Sequence, residues 1–122
     1  MNSLIPVMIG GAAGAGARHL VGAAMLARLG PGFPWWTLTV NIVGGLLMGL
    51  LVGILVKTGG SEQLRLLLGV GVLGGFTTFS AFSLESWQMI EGGQMTVAIG
   101  YAGASVIGSV VALGLGLWLT RL

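Results

Sequence analysis

The chain contains very few of the residues that carry charge or catalyse reactions. It has no cysteine, one histidine, three acidic residues and five basic residues among 122. The absence of cysteine excludes disulfides and thiol chemistry. With one histidine and no aspartate, neither a metal cluster nor a nucleophile–base pair can be assembled, so we do not expect an enzyme. A net charge of +2 is too small and too scattered to predict nucleic-acid binding.

Apolar residues and glycine take up most of the sequence. It is 55% hydrophobic and 7% charged, whereas soluble domains carry about 25% charged residues. A membrane-spanning helix takes about 20 apolar residues, so the chain has room for four spans and little else. We therefore predict a single all-α membrane domain. Its four transmembrane helices are expected at about residues 3–27, 37–56, 64–90 and 95–119.

Glycines at helical spacing predict close contacts between these spans. In the second span they recur every four residues, at Gly45, Gly49 and Gly53. Asn41 lies four residues before Gly45 and so belongs to the same stripe, which must face another helix. Its amide is therefore buried in protein and needs partners. Two interpretations are open: Asn41 joins two helices, or it donates a hydrogen bond to something that passes by.

The third span is interrupted by residues that weaken a helix. Gly74 and Gly75 each cost roughly 1 kcal/mol relative to alanine, and the hydroxyls of Thr77 and Thr78 compete for backbone partners. We predict that a break at Gly74–Thr78 divides this helix near its middle: the two glycines let the helix unwind, and Thr77 continues the irregular path. Free backbone groups at membrane depth are tolerated only inside protein or against a cavity, and broken helices are where membrane proteins bind ions.

The polar side chains placed within the spans share one property, since all of them can donate hydrogen bonds. They are Asn41, Thr77, Thr78, Ser80, Ser83, Tyr101, Ser105 and Ser109. The last three form a stripe spaced by four residues, and the rings of Phe79 and Phe82 add edges with partial positive charge. A passage lined by such donors suits a small, strongly hydrated anion.

Arg18 lies near the end of the first span, about 22 Å along the helix from Ser3. One interpretation is that its side chain reaches to lipid headgroups. The other is an electrostatic role at a pore mouth, where it attracts an anion.

Two further classes of protein compete with an anion pathway. A small proton-coupled exporter of drugs or cations needs a titratable carboxylate near the middle of an early span, and spans 1, 2 and 4 have none. A non-transporting scaffold explains the glycines but not the donors or the interrupted helix.

The string GGFTTFSAFSLE, together with the glycines that lead to Arg18, Asn41 and the Tyr101/Ser105/Ser109 stripe, resembles the Fluc (CrcB-type) fluoride channel family over essentially the whole chain. The resemblance implies a fluoride-selective channel of the inner membrane. It lets fluoride leave the cytoplasm passively and so reduces its toxicity. Members of the family are antiparallel, dual-topology homodimers with two fluoride pores, so the expected partners are fluoride, the lipid bilayer and a second copy.

The resemblance also implies roles for individual residues. Arg18 matches the family's first-span arginine. A structural Na⁺ is expected at the dimer centre, held by the backbone carbonyls of Gly74 and Thr77. Phe76 stands where an aliphatic residue is expected, which is a mild departure. The expected fluoride pore consists of Asn41, Thr78, Phe79, Ser80, Phe82, Tyr101, Ser105 and Ser109.

Overall fold

The structure, a computed structural model that describes residues 3–122, is built from helices. Four segments of the described chain are long and apolar enough to cross a membrane. Their ends lie within two residues of the bounds expected from the sequence. The helices are α1 (Leu4–Leu29), α2 (Trp35–Thr58), α3 (residues 62–76), α4 (Phe79–Glu91) and α5 (Met95–Thr120). Together α3 and α4 make up the third span, Glu62–Glu91.

Glycine ends the first two helices. Gly30 follows α1 with a φ of 77° and donates its N–H to the carbonyl of Leu26. Gly59 follows α2 in the left-handed conformation, with a φ of 66°, and donates to Leu55. Residues with a side chain rarely adopt a positive φ, so these two glycines set the points where the chain turns back.

Two pairs of helices pack backbone to backbone through glycine. A Cβ atom on Gly45 of α2 would lie 2.6 Å from the carbonyl oxygen of Ser109 in α5, and one on Gly75 of α3 would lie 2.5 Å from that of Gly11 in α1. The glycine stripe predicted in the second span therefore faces α5, while α1 packs on α3. Both approaches bring polar side chains of neighbouring helices within reach of the third span.

The first half of the third span is wound more loosely than an α-helix. A π-helix occupies Arg65–Leu73 and is followed by one α-helical turn at Gly74–Phe76. The predicted start of the break is wrong, because Gly74 has helical dihedral angles of −62° and −39°. Gly75 serves instead to let α1 approach, as its contact with Gly11 indicates.

Extended backbone begins three residues after Gly74. Thr77 has a φ of −88° and a ψ of 158°, and Thr78 has a φ of −149° and a ψ of 122°. These two residues separate α3 from α4. Their own side chains offer the alternative hydrogen bonds, since Thr77 Oγ1 donates to the carbonyl of Leu73 at 2.9 Å.

Candidate functional site

Asn41 holds the extended segment from the side of α2. Its Nδ2 donates to the carbonyl oxygen of Thr78 at 3.0 Å, and its Oδ1 accepts from the N–H of Thr78 at 2.8 Å. One side chain thus satisfies both backbone groups of a residue that has left the helix. The carboxamide nitrogen has a second N–H, so this joint between helices leaves one donor of Asn41 for another acceptor.

At the interruption, two backbone N–H groups do not bond to the carbonyls that they would reach in a continuous helix. The N–H of Thr78 would reach Gly74 in an α-helix, but it donates to Asn41. The N–H of Ala81 would reach Thr77, but it donates to Thr78 Oγ1 at 3.2 Å. Thr78 is in this way the N-cap of α4. The carbonyls of Gly74 and Thr77 both lose their helical partner.

Arg18 contacts the last turn of α3, just before the extended segment, from the side of α1. Its Nε donates to the carbonyl oxygen of Gly75 at 3.1 Å. The guanidinium also lines a cavity of about 370 Å³ together with His19, Trp36, Thr37 and Thr78. Arg18 is half-buried against the protein, so its head group binds the third span.

A larger cleft of about 440 Å³, which Thr78 also lines, is bounded by residues of α2, α4 and α5. Most of its wall is apolar, including Met48, Leu73 and Leu113. Six of the eight residues expected in the fluoride pore line it, namely Asn41, Thr78, Phe79, Phe82, Ser105 and Ser109. Residues far apart in the sequence thus converge on one cleft, and each of its polar side chains is able to donate a hydrogen bond.

Two features of the cleft wall bear on what it can bind. The ring centroids of Phe79 and Phe82 are 5.5 Å apart, and Phe79 is 78% exposed. Ser105 is 7% exposed, and its hydroxyl has no hydrogen-bond partner within the described chain. A buried hydroxyl without a hydrogen-bond partner is costly, unless a bound ion or molecule accepts its hydrogen bond.

Ser80 and Tyr101 do not line this cleft. Ser80 Oγ is exposed and lies 3.3 Å from Thr78 Oγ1. Tyr101 is 1% exposed and packs behind Phe82, with ring centroids 5.2 Å apart. Its hydroxyl donates to Glu85 Oε1 at 2.8 Å and so points away from the cleft. Only the tyrosine ring supports Phe82 from behind.

The sequence did not reveal the partners of Glu85. Its second oxygen, Oε2, accepts from Thr37 Oγ1 at 2.8 Å, and Thr37 is 2% exposed. The carboxylate is therefore held by two hydroxyls, one from α2 and one from α5. The available signal was spacing, because Thr37 lies four residues before Asn41 on the same helix face.

These helices and this cleft define a small multi-pass membrane protein, with a mostly apolar cleft that carries a few amide and hydroxyl groups at an interruption in its third span. Residues 5–117 match the model of the family described as CrcB-like protein, Camphor Resistance (CrcB). The chain belongs to this family.

Several relatives match the chain over nearly its whole length. It is 65% identical to the "Fluoride-specific ion channel FluC" of Sphingopyxis alaskensis, and the match covers 99% of this chain and 97% of the relative. It is 51% identical to the protein of the same name from Mesorhizobium japonicum, over 99% and 98% of the two chains. For the protein of that name from Novosphingobium aromaticivorans, the identity is 52%, with the same coverage.

Proposed function

We propose that the protein is a fluoride-selective channel that lets fluoride leave the cytoplasm passively, and that it is not an enzyme. The observation that carries this proposal is the cleft that brings Asn41, two phenylalanine rings and two serine hydroxyls together next to Thr78. Neutral hydrogen-bond donors can replace the water shell of a small anion without binding the anion so tightly that it cannot leave. The names of the relatives indicate which anion this is.

Flux from liposomes that contain only this protein tests the function. Fluoride is expected to leave along its own gradient, while an equal chloride gradient produces at least a hundredfold less flux. Liposomes without protein are the control. Equal efflux of the two anions, or efflux that requires a proton gradient, would contradict the proposal and favour a proton-coupled exporter.

The fluoride path runs past the phenylalanine pair in this proposal, because both rings line the cleft next to Asn41. Phe79→Ile and Phe82→Ile are each expected to lower fluoride flux at least tenfold, since an aliphatic chain fills space but offers no polarised ring edge. Phe76→Ile is the matched control, because Phe76 is also next to the interruption but is absent from the cleft wall. Initial rates of fluoride efflux measure the effect. Parent-like rates in both variants would mean that the two rings only fill space and do not contact the ion.

The functional unit in this proposal is an antiparallel, dual-topology homodimer in the inner membrane. Phe79 lines the cleft yet is 78% exposed on one subunit, and a second copy would cover it. A two-fold axis would bring two third spans together, so that each covers the backbone of the other.

Cysteine labelling tests the antiparallel arrangement. The chain contains no cysteine, so a single cysteine added after Leu122 is the only thiol. An impermeant thiol reagent is expected to label about half of the protein from each side of the membrane. Labelling from one side only would reject dual topology.

A structural Na⁺ at the dimer centre is part of the same proposal. The carbonyls of Gly74 and Thr77 lose their helical donors, and an unsatisfied polar group at membrane depth costs several kcal/mol. Two subunits would gather four such oxygens, and hard oxygen ligands suit a hard cation. The ion would also place positive charge between two anion paths.

A further inference from the structure

The C-terminal end of α3 has carbonyl groups that a helix cannot satisfy by itself. The carbonyl of Leu73 accepts from both the N–H and the Oγ1 of Thr77, at 3.1 and 2.9 Å. That of Gly75 accepts from Arg18. The N–H that would reach Gly74 is taken by Asn41. Of these three successive carbonyls, Gly74 is the one that no side chain of residues 3–122 caps.

The close packing of α1 on α3 places Arg18 at this helix end. Gly10, Gly14 and Arg18 are spaced by four residues and so share one face of α1. A Cβ atom on Gly14 would lie 2.8 Å from the backbone nitrogen of Phe76. With α1 this near, the side chain one turn after Gly14 lies over the end of α3, and its Nε reaches the Gly75 carbonyl at 3.1 Å.

We propose that Arg18 is a positioning residue: it caps α3 through the carbonyl of Gly75 and thereby keeps that oxygen away from the ion site, so that the carbonyl of Gly74 alone is presented on this turn. The bond that does this is donated by Nε. A cation is the favourable partner here, because the carbonyl end of a helix carries partial negative charge. Arg18 therefore acts on the geometry of the interruption and not mainly as a charge at a pore mouth.

Three substitutions separate the hydrogen bond from the charge. Arg18→Gln keeps a nitrogen donor the same number of bonds from Cα as Nε and removes the charge. Arg18→Met has a similar length and neither donor nor charge. Arg18→Lys keeps the charge but places its donor one bond further out. Arg28→Met is the control, because Arg28 is an exposed arginine in the last turn of the same helix.

Fluoride flux is the first measurement, and it depends on the proposed channel function. Arg18→Met is expected to lose about tenfold or more, the size of effect expected for a partly buried hydrogen bond to a charged group. Arg18→Gln is expected to stay within about fivefold of the parent, since a neutral donor forms a weaker bond. Because the bond is a short-range contact in protein, the order of the variants should be the same at low and high ionic strength.

Amide hydrogen exchange is the second measurement, and it does not depend on fluoride conduction. Arg18→Met is expected to speed exchange at residues 76–81 at least tenfold, while Arg18→Gln and Arg28→Met leave it near the parent rate. Unchanged exchange in Arg18→Met would overturn the proposal whether or not the protein conducts fluoride.

The charge hypothesis predicts a different pattern. Arg18→Lys would then conduct like the parent, Arg18→Gln and Arg18→Met would lose flux equally, and salt would reduce the difference. That result overturns the positioning role. If Arg18→Met fails to assemble while Arg18→Gln assembles and conducts, the donor is the essential feature, and the proposal is supported.

Discussion

Asn41→Asp is expected to reduce fluoride flux at least a hundredfold. The substituted carboxylate can still accept the N–H of Thr78, but it loses the Nδ2 that donates to the carbonyl oxygen of Thr78 at 3.0 Å. It also loses the second N–H, which is the donor left for an ion in the cleft. An ionised carboxylate only accepts hydrogen bonds, so it would repel both that carbonyl and a passing anion.

Gln94→Glu is the matched control for this substitution. It makes the same exchange of amide for carboxylate at an exposed position between α4 and α5, and it changes the net charge by the same amount. Efflux rates and the dimer fraction should be measured for both variants. Parent-like efflux from Asn41→Asp would mean that Asn41 only joins two helices.

Gly74→Leu is expected to abolish flux and to disrupt the proposed dimer, although a Cβ atom at this position fits within the subunit. A Cβ atom on Gly74 would meet only the carbonyl oxygen of Gly69, at 3.7 Å. In the proposed dimer, the second copy supplies the obstruction. There the added side chain would push the Gly74 carbonyls apart at the two-fold axis.

Gly16→Leu is the matched control, because a Cβ atom on Gly16 meets nothing within 4 Å. The mass of the purified protein in detergent and fluoride efflux should be compared for both variants. A dimeric, conducting Gly74→Leu protein would contradict both the assembly and the proposed Na⁺ site. Replacing Na⁺ on both sides of the membrane with a large organic cation tests the proposed Na⁺ site separately. Unchanged flux and unchanged dimer stability would contradict that site.

The helices and the list of polar side chains follow from the sequence. Long apolar runs between turn residues predict spans whatever their neighbours are, because each helix satisfies its own backbone. The same reasoning found the residues of the cleft, since Asn41, Ser105 and Ser109 are polar groups at membrane depth. It placed the start of the interruption three residues too early, at Gly74, because helix propensity does not record that Gly75 lies against Gly11.

Partners across helices were decided by tertiary structure. Which atom accepts from Arg18, from Thr37 or from Asn41 depends on how near two helices approach and how they are rotated, and no local pattern contains that distance. The sequence by itself determined four apolar segments long enough to span a membrane, an interruption somewhere within residues 74–78 and a set of polar side chains inside the spans. Only the packing of α1 and α2 on the third span decided that Arg18 binds the carbonyl of Gly75 and that Asn41 binds both backbone groups of Thr78. A hydrogen bond forms over about 3 Å. Arg18 and Gly75 are 57 positions apart in the sequence, and Asn41 and Thr78 are 37 positions apart, so only the folded chain brings each pair to that distance.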